Sequence, residues 1–71
     1  MNVIVLKTNI RYKKELKTVA PVLDTVSGIT RWNVALDDSD KVLRVESDTL
    51  AARDIIAQVN ALGFRCEELL H

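Results

Sequence analysis

The apolar residues change their pattern along this chain in the order strand-like, helical, strand-like, strand-like, helical, strand-like. That order leaves few folds open to a chain of 71 residues. Asn2 to Thr8 (NVIVLKT) is rich in β-branched residues and reads as a strand. Both faces are apolar at its start, which suits a central strand better than an edge. From residue 12 to 26 the period becomes helical. Leu16, Val19, Ala20, Leu23 and Val26 form one stripe, and Lys13, Lys14, Lys17 and Asp24 fall mostly off it. Pro21 lies inside this stretch and removes a backbone donor, so a kink or local defect is expected there. Gly28 is a natural helix stop.

Residues 29–37 (ITRWNVALD) alternate, with Trp32, Val34 and Leu36 on one face and Arg31 and Asn33 on the other. Asp37-Asp38-Ser39-Asp40 is a turn cluster. Residues 41–46 (KVLRVE) alternate again, which predicts a hairpin. Ser47 and Asp48 are N-cap candidates for a helix over residues 49–62, whose stripe is Ala52, Ile55, Ile56, Val59 and Leu62. Gly63 closes it, and residues 64–70 (FRCEELL) read as a last strand with imperfect alternation.

A βαββαβ order builds an α+β, ferredoxin-like sandwich. Its four-stranded antiparallel sheet carries both helices on one face. Crossover handedness selects the strand order 4-1-3-2. The expected organisation is one domain over residues 1–71, with no linker or low-complexity segment. Such a domain buries only about 60% of its unfolded surface, so few positions can be spared for a buried polar site.

Several short patterns, in this order and at these spacings, resemble the heavy-metal-associated (HMA) domain of small copper chaperones and of metal-pumping ATPases. Lys7-Thr8-Asn9-Ile10 resembles the strand end that leads into the metal loop. Val19-Ala20-Pro21-Val22-Leu23-Asp24 resembles a first helix in which proline is usual. Gly28-Ile29 with Trp32, and Asp40-Lys41-Val42-Leu43 with Val45, resemble the second and third strands. Ala61-Leu62-Gly63-Phe64 resembles the end of the second helix and the loop beside the metal. The resemblance covers nearly the whole chain. It implies a metal loop of methionine, any residue, then Cys-x-x-Cys in the first turn. Counted back from Gly28, the methionine corresponds to Ile10 and the two cysteines to Tyr12 and Glu15. Soft thiolates select Cu(I), and a phenol with a carboxylate does not replace them. The resemblance therefore implies the scaffold without the metal-carrying pair.

Composition narrows the function classes. Ten basic and ten acidic side chains give a net charge of zero, whereas a protein bound to a phosphate backbone usually carries a basic excess. The central strands have no aromatic residue on which RNA bases could stack. The longest apolar run, residues 3–6, is far too short to cross a bilayer, and no signal peptide is visible. With one cysteine, Cys66, no internal disulfide can form. These features predict a cytoplasmic protein with no nucleic-acid partner and no membrane insertion. Catalysis has little support. The one His is terminal, and both glycines read as helix stops rather than as a phosphate loop.

The candidate site residues divide accordingly. Cys66 reads as a small core residue, with a vestigial ligand role as the weaker alternative. His71 is terminal, and one His with one Cys does not make a four-ligand site. The acidic turn lacks the central Gly and distal Glu of a calcium loop. Trp32 is placed over the sheet–helix core. Lys7, Arg11, Lys13, Lys14 and Lys17 cluster near the first helix start, where cations oppose the helix dipole by a few tenths of a kcal/mol each.

The expected function is a non-catalytic interaction module that meets a protein partner through Arg11, Tyr12, Lys13 and Lys14. It needs no cofactor and is a monomer or weak dimer. The alternative is a metal-homeostasis protein that holds copper or zinc through Tyr12, Glu15 and Cys66. A third reading is a metabolite-sensing domain that dimerises through a sheet edge.

Overall fold

A computed structural model describes residues 2–69. The elements are β1 (Asn2–Thr8), α1 (Lys13–Leu23), β2 (Ile29–Val34), β3 (Leu43–Ser47), α2 (Ala52–Ala61) and β4 (Cys66–Glu68). They form one four-stranded sheet in the order β2-β3-β1-β4, which is the expected 4-1-3-2 read from the other edge. All three pairings are antiparallel. This is the ferredoxin-like sandwich.

Register aligns the apolar rows. Trp32 faces Val45, which faces Ile4, and Val34 faces Leu43, which faces Leu6. Helical stripes cover these rows. Val19 and Leu23 of α1 and Ile55 and Val59 of α2 are buried, together with Ile4, Leu6, Ile10, Leu43 and Val45. Each such side chain contributes about 1.5–3 kcal/mol by leaving water. The opposite face carries Val3, Val5, Arg31, Asn33, Arg44 and Glu46, and Val3 is largely exposed. β1 is central, as its opening residues predict, yet its two faces are buried to different degrees.

Element ends depart from the sequence reading. The first helix covers Lys13–Leu23 rather than residues 12–26, because Asp24 caps it and Thr25 turns back onto the Val22 carbonyl. Pro21 therefore falls in the last turn, on an exposed position, and the helix runs on through it to Leu23, so the expected interruption does not occur. The hairpin turn is longer than expected, since β2 stops at Val34 and β3 starts at Leu43. Lys41 adopts a left-handed backbone (φ 48°) and its Nζ donates to the Leu36 carbonyl, which closes the turn. Ser47 is buried at the end of β3 and caps no helix. Its Oγ accepts from the N–H groups of Thr49 and Leu50, and α2 begins only at Ala52. β4 is confined to Cys66–Glu68 instead of residues 64–70; Leu70 and His71 lie outside the described residues.

Gly28 and Gly63 both have positive φ (102° and 94°). A Cβ at Gly28 would sit 2.6 Å from Thr49 Oγ1, whereas at Gly63 nothing lies within 4 Å. Both substitutions to Ala incur backbone strain of about 1–2 kcal/mol. Gly28→Ala adds a clash between the loops that precede β2 and α2. Urea unfolding should show both variants destabilised, with Gly28→Ala the worse of the two.

Candidate functional site

The first turn links the end of β1 to the start of α1. Ile10, at the position the resemblance gives to methionine, is fully buried and anchors the turn to the core. Thr8 holds the strand end. Its Oγ1 accepts from the Ile10 N–H at 3.2 Å and donates to the Lys41 carbonyl, tying the turn to the β2–β3 hairpin. Asn9 ties it to β4. Asn9 Oδ1 accepts from the Arg65 N–H at 2.8 Å, and the Asn9 N–H donates to the Arg65 carbonyl at 3.2 Å.

Helix starts leave N–H groups without intrahelical partners. Here Glu15 supplies one acceptor for the cap N–H and for the N–H of the residue before it. Its Oε1 accepts from the N–H of Arg11 at 2.8 Å and from that of Tyr12 at 3.0 Å. The Glu15 N–H in turn donates to the Tyr12 carbonyl at 3.0 Å. Tyr12 is the N-cap residue, with extended backbone, and its side chain makes no capping bond. The phenol projects outward at 58% exposure, with Lys14 Nζ 5.6 Å from the ring centroid. The second helix begins in the same way. Asp54 Oδ2 accepts from the N–H of Ala51, a residue with no polar side chain. In each helix the acid three residues past the cap does the work usually shared with Ser or Thr.

Arg11, Lys13, Lys14 and Lys17 are exposed around this turn. The four proposed contact residues, Arg11 to Lys14, are thus adjacent and solvent-facing. Lys7 is separate, 3.9 Å from Asp40. Cys66 pairs in register with Thr8 across β1 and β4 and packs partly buried against the core. Burial pushes its thiol pKa up, the opposite of what activates a cysteine. It lines an open cleft of about 510 Å³ with Lys7, Asn9, Asn60, Arg65 and Glu67. Trp32 packs against the core as expected, and its Nε1 donates to Asp24 Oδ1 at 2.8 Å. Among the described residues no three His, Cys, Asp or Glu side chains gather where a metal ion could be held. No helix among them is long and apolar enough to cross a membrane.

Sequence reasoning did not find Thr8, Asn9 or the capping role of Glu15. Glu15 carried a signal, an acid at the third helical position, but Tyr12 in place of Ser or Thr hid it. The Asn9–Arg65 clamp joins residues 56 apart and has no local signature.

No family model matches the chain, and no curated protein is similar to it. Solved structures do match. A copper-binding domain of HMA7, a P-type ATPase, superposes with a TM-score of 0.83 at 23% identity, covering 99% of this chain and 96% of that one. The yeast copper transporter domain Ccc2a, solved in apo and Cu(I)-loaded states, gives 0.83 at 21% identity, covering 99% and 97%. The first domain of the human copper chaperone for SOD1, in its copper(I)-loaded form, gives 0.79 at 18%, covering 93% and 89%. The chain has the fold shared by these copper-binding domains.

The state of Cys66 is open to direct measurement. The folded thiol holds its proton above the pKa of the unfolded one. Its contribution to stability is therefore present below the unfolded pKa and lost as pH rises through the folded value. Alkylation by iodoacetamide at pH 8 should be slower in the native protein than in urea. The native rate should climb at a higher pH than that of the unfolded thiol, because burial raises its pKa.

Proposed function

We propose that this chain is a non-catalytic interaction module, one HMA-like domain whose first turn contacts a protein partner and carries no metal. The observation that supports it most is the state of Glu15. At the position the resemblance assigns to a thiolate ligand, the carboxylate is committed to two backbone N–H groups. The other assigned position, Tyr12, is an exposed phenol. Closing the turn in this way leaves Arg11, Tyr12, Lys13 and Lys14 outward as a cationic surface with an aromatic centre. Tyr and Arg are favoured contact residues, and cations steer encounter with an acidic surface. A chaperone–partner complex, Atx1–Cu(I)–Ccc2a, is among the structures of this fold (TM-score 0.83, 21% identity), which fits a role in protein contact. The reading includes a cytoplasmic setting and a domain that works without a cofactor.

The competing reading is metal homeostasis through Tyr12, Glu15 and Cys66, favoured by the Cu(I)-loaded structures of the same fold. A Cu(I) competition titration against a strong chelator separates the two. The native chain should extract no copper, and Tyr12→Cys/Glu15→Cys should gain one tight site per chain. A tight site in the native chain, removed by Cys66→Ser, establishes the competing reading instead. Partner capture gives the second test. Charge reversal at Lys13 and Lys14 should lower recovery of the partner by tenfold or more at low salt. Unchanged recovery removes the first turn from the interface.

A further inference from the structure

The first turn does not stand alone at its end of the sheet. β1 rises to Thr8, and β3, antiparallel to it, begins at Leu43, so the β2–β3 turn lies at the same end. Backbone contacts confirm this placement. The Thr8 N–H donates to the Asp40 carbonyl at 3.1 Å, and Thr8 Oγ1 donates to the Lys41 carbonyl. One end of the molecule therefore carries two turns of opposite charge. The helix side offers Arg11, Lys13 and Lys14, and the hairpin side offers Asp37 and Asp38, all exposed. None of these five forms an ion pair among the described residues, whereas Asp40 is 3.9 Å from Lys7. Lys17 adds a further exposed cation on the helix side. Glu15 caps α1, and Lys41 Nζ is held by the Leu36 carbonyl.

A surface with a basic half beside an acidic half is complementary to itself under two-fold rotation. In an isologous contact each half meets the other half of the partner, so two patches of ion pairs form for one interface. The net charge of zero removes the global repulsion that would oppose such a pairing. Resting on the first turn as the contact surface, we infer that the occupant of this end is a second copy of the chain, docked turn to turn. Molecular extents of 29 × 28 × 18 Å limit an end-on contact to a few hundred Å² per copy. This is below the roughly 800 Å² per partner of a stable complex. The dimer is therefore weak, and salt weakens it further, since the Debye length is about 10 Å at 0.1 M and 3 Å at 1 M.

Sedimentation equilibrium tests this with the full chain. At 20 mM salt and near-millimolar protein the weight-average mass should rise well above the monomer, and at 500 mM salt it should fall back. Asp37→Lys/Ser39→Lys makes both halves basic and spares Asp38 Oδ1, which accepts from the Asp40 N–H at 2.8 Å. Lys13→Glu/Lys14→Glu makes both halves acidic. Each variant alone should be monomeric at low salt, and an equimolar mixture should associate. Circular dichroism checks that both are folded. A native chain that stays monomeric at low salt overturns the inference, as does a mixture that fails to associate. Neither result touches capture of an acidic partner, which reads the basic turn by itself.

Discussion

A single carboxylate oxygen closes the first turn. Glu15 Oε1 takes the N–H groups of Arg11 and Tyr12 together, and without it two donors at an exposed helix start would turn to water. Ile10 beneath is held by the core, so the turn is fixed from inside by burial and from outside by the cap. Thr8 and Asn9 add the lateral ties to the hairpin and to β4. The turn is thereby held by the chain's own hydrogen bonds and by the core beneath it.

That arrangement separates scaffold from chemistry. The sheet and helices reproduce those of copper-binding domains to TM-scores of 0.79–0.83, at identities of 18–23% for the three structures compared. A fold is kept by rows such as Trp32–Val45–Ile4 and Val34–Leu43–Leu6, which need only apolar side chains of suitable size. A soft-metal site needs specific atoms in one place. Here Cys66 lies on β4 opposite Thr8, desolvated and packed partly against the core.

Much of the fold was legible because its signals are periodic. The stripes in α1 and α2 picked out Val19, Leu23, Ile55 and Val59, and all four are buried. Element ends were less legible, because competing hydrogen bonds decide them. Ser47 has the chemistry of a helix cap, yet its hydroxyl serves the bend before α2, and Asp54 caps the helix from within. Residues 64 and 65 look like strand, but Arg65 is drawn to Asn9 and the ladder with β1 starts at Cys66. At the candidate site the exposure of Lys13 and Lys14 followed from the helical stripe. The function of Glu15 did not, because its partners are backbone groups that carry no side-chain code.

Amide hydrogen exchange at Arg11 and Tyr12, followed by NMR with and without Cu(I), tests the self-closed turn most directly. The account predicts slow exchange that copper leaves unchanged, lost in Glu15→Ala and largely retained at Ala51, where Asp54 makes the equivalent cap. Rapid exchange of Arg11 and Tyr12 in the native chain, slowed on adding copper, would contradict it.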